Sequence, residues 1–197
     1  MTDVFRTIQS LSEGTYKEKG SKFLAFAAPV QTTDEVKELL AYYKKEYYDA
    51  RHVCYAYRIG AEESEFRYND DGEPSGTAGK PIYGQILSNE LTNILIIVVR
   101  YFGGIKLGTS GLITAYKDAA ADAIFNGKIV EKTIDITFSV SFQYEYLNAV
   151  MRIIKEEEIT VLEQHFDNNC LMKLLVRKAN AEKCQNRLMK IETLTMI

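Results

Sequence analysis

The chain has 197 residues, of which 46% are hydrophobic and 26% charged, and a formal net charge of −3 at pH 7. That length suits one large domain or two small ones, and the negative balance excludes a generic polyanion binder with a basic surface, so any basic patch must be local. No stretch approaches the roughly eighteen continuous apolar residues of a membrane span, and Met1-Thr2-Asp3-Val4-Phe5-Arg6 lacks the basic start and apolar core of a secretion signal, so no membrane partner is expected.

In chain order, Thr15 to Val30 reads as one or two strands with a bend at Gly20-Ser21. Thr33-Asp34 caps a predicted helix to about Tyr48, with Val36, Leu39, Leu40, Tyr43 and Tyr47 on its buried stripe. Val53 to Ile59 alternates as a strand, and Glu65 to Asn69 returns beside it after a short polar turn. Asp70 to Gly79 has the Gly and Pro content of a loop, after which Pro81 suits the first turn of a helix to about Asn89. Asn93-Ile-Leu-Ile-Ile-Val-Val99 is an unbroken apolar run, as expected of a strand buried on both faces. Leu112, Ile113, Tyr116, Ala119, Ala120, Ala123 and Ile124 then recur at helical spacing.

Asn126-Gly127 ends that helix, and Lys128 to Lys132 reads as a linker between domains of residues 1–130 and 131–197. Ile134 to Phe142 alternates as a strand, and Tyr144 to Glu157 is amphipathic through Leu147, Val150, Met151 and Ile154. Thr160 to Phe166 and Cys170 to Arg177 are strands around the turn-favouring Asp167-Asn-Asn. Ala181 to Ile191 is helical and Leu194 to Ile197 is a short edge strand. This βαββαβ order is the ferredoxin-like layout, so the fold class is α+β. Glu156-Glu-Glu158 reads as a solvated helix end.

Between the buried strand and the long helix lies Arg100-Tyr-Phe-Gly-Gly-Ile-Lys-Leu-Gly108. Backbone amides at such a junction point outward and the helix dipole favours negative charge, so this is where an anion would bind, if one binds. Gly103 and Gly108 have the spacing of a phosphate loop, but Thr109-Ser110 follow where Lys and then Ser or Thr belong, so nucleotide triphosphatase chemistry is not indicated. Glycines at 103, 104, 108 and 111 do not form a dinucleotide fingerprint either. Three readings stay open: glycines that serve close packing, a turn whose amides join Arg100 and Lys106 against a phosphate of RNA or another anion, and a contact with a protein.

The acidic loop Asp70-Asp-Gly-Glu73 offers oxygens to a hard cation but lacks the calcium-loop pattern, and Asp-Gly before Pro is also plain turn chemistry. Were the loop to fold toward the glycine turn, its carboxylates would pair with Arg100 or Lys106 and quench the anion site. His52 and Cys54 share one strand face, yet a Cys–His nucleophile needs an orienting third group, and none is visible. His165, the other histidine, has no motif around it. Cys54, Cys170 and Cys184 are odd in number and lack metal-type spacing, which fits a reducing cytoplasm. Tyr55 and Tyr57, with Arg51, Arg58 and Arg67 interleaved, read as a half-buried aromatic face, with base stacking as the alternative.

The segments Ala50 to Arg58, Asp70 to Gly79 and Arg100 to Gly108 closely resemble the IMPACT family, and the resemblance covers nearly the whole chain. It implies an N-terminal domain like the second domain of ribosomal protein S5 and a ferredoxin-like C-terminal domain similar to late domains of translocation factor EF-G. Eukaryotic relatives regulate translation by competing for the activator of an amino-acid-sensing kinase, whereas the bacterial branch carries no established reaction. The expectation is a cytoplasmic, monomeric, non-enzymatic binding protein of translation, with RNA or a ribosome-associated protein as partner and no cofactor or metal. Expected nucleic-acid or anion contacts are Arg51, His52, Arg100, Gly103, Gly104, Lys106, Gly108 and Thr109, with Asp70, Asp71, Glu73, Ser75 and Thr77 as a partner loop. The alternatives are a protein-interaction regulator without nucleic-acid binding, and an enzyme using His52, Cys54 or the acidic loop.

Overall fold

The structure, a computed structural model, describes residues 3–62 and 64–197. Met1, Thr2 and Glu63 lie outside them, and with them part of the reading of the opening residues and of the turn before Glu65. The described chain forms two compact units, Phe5–Lys132 and Thr133–Ile197, the latter with Asp3 and Val4. No helix among the described residues is long and apolar enough to cross a membrane.

The first unit contains β1 (Val4–Ile8), β2 (Ser12–Glu18), β3 (Ser21–Pro29), α1 (Thr33–Glu46), β4 (His52–Ile59), β5 (Glu65–Asn69), α2 (Gly79–Ser88), β6 (Ile94–Tyr101), α3 (Gly108–Asn126) and β7 (Ile129–Thr133). Five strands form an antiparallel sheet in the order β2-β3-β6-β4-β5. β6 is the middle strand, which explains its unbroken apolar run. Ile94, Ile96 and Val98 pack with Ile82, Ile86, Leu112, Tyr116 and Ala120 of α2 and α3. Leu95, Ile97 and Val99 pack with Val36 and Tyr43 of α1 on the opposite face. Each such side chain contributes roughly 1.5–3 kcal/mol of burial, so both helical layers are held by one strand.

Local chemistry sets the boundaries. β2 and β3 meet at Lys19-Gly20, both at positive φ (47° and 77°), the two-residue turn whose twist suits a hairpin. That turn lies one residue before the predicted bend. Thr32, not Thr33, caps α1: its hydroxyl accepts from the Glu35 amide at 3.2 Å, and the Glu35 carboxylate accepts from the Gln31 amide at 2.8 Å. The stretch read as a linker is corrected too, because Ile129–Thr133 is a strand paired with β1. Ile129 packs on the core, and its partner strand lies at the other end of the sequence, where local pattern has no view of it.

The second unit runs β8 (Asp135–Gln143), a single 3-10 turn (Tyr144–Tyr146), α4 (Leu147–Glu156), β9 (Thr160–His165), β10 (Asn169–Arg177), α5 (Lys178–Leu188) and β11 (Thr195–Met196). Its antiparallel sheet has the order β11-β8-β10-β9, the ferredoxin-like arrangement. Val140, Phe142, Met172 and Leu174 face Val150, Ile154, Cys184 and Leu188 across the core. The acidic end of α4 is more than a solvated terminus. The Glu157 side chain is only 7% exposed and pairs with Lys183 and Arg187 of α5, while Glu156 also meets Arg187. The hydrogen bonds from Lys183 and Arg187 hold the Glu157 carboxyl below the usual carboxylate range.

Candidate functional site

In the first unit, sheet register brings the separated motifs together. His52 of β4 lies directly opposite Arg100 of β6, on the face that carries α2 and α3. The Arg51 amide donates to the Arg100 carbonyl at 3.0 Å. Past β6 the chain turns through residues 102–107 into α3, whose first residue is Gly108. Gly103 presses against the β2–β3 hairpin. Its amide donates to Ser21 Oγ at 3.2 Å, and a Cβ there would overlap the backbone of Gly20 and Ser21. Gly104, by contrast, sits in open space with φ of 86°. Leu107 occupies the N-cap of α3 and offers no capping side chain, so the first-turn amides keep their capacity for an external acceptor.

A cavity of about 470 Å³ opens at this junction. Arg51, His52, Arg100, Lys106 and Thr109 line it with polar side chains, Glu73 supplies its carboxylate, and Pro74, Phe102, Leu107 and Leu112 form apolar walls. Glu73 and Arg100 are an ion pair with side chains 3% and 6% exposed. The same Glu73 oxygen accepts from the Tyr116 hydroxyl at 2.8 Å and lies 3.7 Å from His52 Nε2. The Arg100 guanidinium lies over the rings of Phe23 (5.4 Å) and Phe102 (5.7 Å). Its Nε is buried without an acceptor among the described residues. His52 Nδ1 stands 2.8 Å from the Asp71 carbonyl. A carbonyl only accepts, so Nδ1 carries a proton, and Nε2 faces Glu73 and the cavity.

The acidic loop therefore divides its work. Asp70 accepts from the amides of Gly76 (2.9 Å), Ala78 (3.0 Å) and Gly79 (2.9 Å), which anchors the loop and the start of α2. Asp71 accepts from the Val53 amide at 2.7 Å and pairs with Lys44 at 3.2 Å. The Thr77 hydroxyl donates to the Pro74 carbonyl at 2.7 Å, and Ser75 is exposed. Only Glu73 and Pro74 of this loop reach the cavity. Among the described residues no group of three His, Cys, Asp or Glu side chains gathers around a point that suits a metal ion. The quenching of Arg100 expected from an inward-folded acidic loop is present as the Glu73 pair. Arg51 and Lys106 remain exposed and meet no carboxylate among the described residues.

Of the basic residues singled out in the sequence, Arg51, Arg100 and Lys106 converge, whereas Arg58 and Arg67 do not line the cavity. Tyr57 is buried with Phe26 and Tyr43, and Tyr55 packs on the same cluster beneath α1, so neither forms an open stacking platform. Tyr116 and Phe102 are the site residues that sequence reasoning left unassigned. Tyr116 sits on the buried stripe of α3, where a phenol needs a polar partner, and that need was the available signal.

His52 and Cys54 do not make a nucleophilic pair. The Cys54 thiol is fully buried, donates to the Asp70 carbonyl at 3.0 Å and contacts the Tyr116 hydroxyl at 3.4 Å. Burial pushes the thiol well above its ordinary titration range. Native protein treated with iodoacetamide at pH 8 is expected to keep Cys54 unmodified, and urea-unfolded protein to alkylate it, as read by peptide mass spectrometry. Rapid native labelling of Cys54 would show that this thiol is neither sealed nor protonated.

Residues 19–124 match the family profile of the Impact N-terminal domain. The chain is 32% identical over 169 residues to the IMPACT family member YvyE of Bacillus subtilis, covering 86% of this chain and 78% of that protein. It is 28% identical over 172 residues to the IMPACT family member YigZ of Escherichia coli, covering 86% and 84%. Among solved structures it is similar to a crystal structure described as a hypothetical protein, with a TM-score of 0.76, 25% identity, and coverage of 100% of this chain and 98% of that one.

Proposed function

The chain belongs to the IMPACT family, and from that premise we propose that it is a cytoplasmic binding protein of the translation apparatus, holding an anionic group of an RNA in the cavity at the β6–α3 turn. The supporting observation is the start of α3, which opens without a side-chain cap onto a cavity where Arg51 and Lys106 have no carboxylate partner among the described residues. In a chain of net charge −3 this is a local concentration of positive potential. Arg100 does not belong to the exposed charge, because Glu73 neutralises it; its part is to hold the wall. The RNA contacts are then Arg51, Lys106, Thr109 and the amides of the turn.

Titration of a structured RNA at low salt tests this with wild type and the Arg51→Ala/Lys106→Ala double variant. Both residues are exposed, so the fold survives their truncation. Removing the cation at one phosphate is expected to flatten the slope of log affinity against log salt by about 0.7–1, and affinity is expected to fall about tenfold or more. Equal affinities and slopes would remove the turn from the binding surface. A protein partner is the second reading, favoured by the apolar Phe102 and Ile105, which are 49% and 56% exposed on the same turn. Co-purification of a ribosome-associated protein that survives nuclease would support that reading over RNA.

A further inference from the structure

We infer that the cavity is selective for a phosphate monoester, the 5′-phosphate of a nucleotide, over an internal phosphodiester. The inference deepens the RNA reading above and rests on it for the RNA arm alone, since a free nucleoside 5′-monophosphate carries the same group. Charge matching is the first argument. With Arg100 and Glu73 cancelling, Arg51 and Lys106 leave two uncompensated cations, and the start of α3 adds a fraction of a positive charge. A diester brings one negative charge, whereas a monoester brings about 1.5 to 2 at neutral pH. The monoester matches the site; the diester leaves it cationic.

The second argument is the number of acceptors. Arg100 is 5% exposed and paired with Glu73, and its Nε is buried without a hydrogen-bond partner among the described residues, so that nitrogen is not offered to the cavity. A monoester offers three oxygens, enough to serve Arg51, Lys106 and the α3 amides, and an internal diester has only two that are not bridging.

Shape supplies the third argument. A volume of about 470 Å³ falls within the range of small-molecule sites and suits one nucleotide. Phe102, which is 49% exposed and lines the cavity, offers aromatic surface to one base. A chain terminus enters such a recess once, while an internal nucleotide must also bring the strand back out.

The test compares a short single-stranded RNA bearing a 5′-phosphate with the same oligonucleotide bearing a 5′-hydroxyl, alongside AMP and adenosine, by fluorescence anisotropy and competition at fixed salt. The expected result is at least tenfold tighter binding of the phosphorylated RNA and competition by AMP but not adenosine. In Lys106→Ala the phosphate preference is expected to shrink to about twofold, whereas Phe102→Ala weakens AMP and leaves the preference in place. Equal binding of both RNAs, weakened alike by Arg51→Ala/Lys106→Ala, overturns the monoester inference and leaves the RNA reading standing. Binding of AMP with neither RNA bound upholds the monoester site and overturns the RNA reading. Binding of none of the four probes overturns both.

Discussion

Replacing Glu73 with alanine is expected to destabilise the first unit by about 3–5 kcal/mol, the cost of stranding one partner of a buried ion pair. Glu73 is the counter-charge of Arg100, whose side chain is 6% exposed, and it also accepts the Tyr116 hydroxyl. Without the carboxylate, Arg100 keeps its charge, since a guanidinium does not deprotonate in proteins, while the Tyr116 hydroxyl loses an acceptor. Arg100 is 5% exposed and Tyr116 fully buried, so water compensates both only in part. Because the two units need not unfold together, the informative measurement is urea-dependent hydrogen exchange of the β6 amides. Glu73→Leu with Arg100→Met removes both charges and is expected to recover most of the loss, as buried pairs replaced by apolar residues often do. A cost below about 1 kcal/mol for Glu73→Ala would mean that the pair is hydrated from the cavity and behaves as a surface ion pair.

Gly103→Ala is expected to cost about 3 kcal/mol, at the upper end for overpacking, because its Cβ would meet backbone rather than a flexible side chain. The atoms in the way belong to Gly20 and Ser21, in and beside the tight β2–β3 turn. Either the hairpin tip or the β6–α3 turn must shift, and the second choice moves Lys106 and the start of α3 away from Arg51. RNA affinity is therefore expected to fall with stability. The neighbouring Gly104→Ala separates steric from conformational cost: nothing lies within 4 Å of its Cβ, and only its φ of 86° is unfavourable, for about 1–2 kcal/mol. Calorimetric melting of both variants distinguishes the cases. A Gly103→Ala protein no less stable than Gly104→Ala would show that the turn and the hairpin do not press together.

Most elements were legible because their signals are local. The apolar run of β6, the 3.6-residue period of α3 and the strand–helix alternation after Thr133 each follow from neighbours within a few positions. For the same reason the strand-to-helix junction, with its glycines and Lys106, is visible in the sequence, as is the resemblance carried by its residues. What stayed hidden depends on pairs far apart along the chain: β1 with β7, Glu157 with Lys183 and Arg187, and Glu73 with Tyr116, while the pairing of the acidic loop with Arg100 was foreseen only as one outcome of an inward fold. The acidic loop was visible, but its division of labour was not, since Asp70 spends its oxygens on amides while Glu73 turns inward.

Composition and periodicity pointed to two α+β units and to a glycine-rich turn between a buried strand and a long helix. Which cations stay free at that turn was settled by sheet order and register, which set Arg100 opposite His52 and above Glu73. The physical reason is that strand faces alternate every residue, so a slip of one position would exchange the buried arginine for its neighbour. Burial then determines which charge is cancelled and which remains available to a partner.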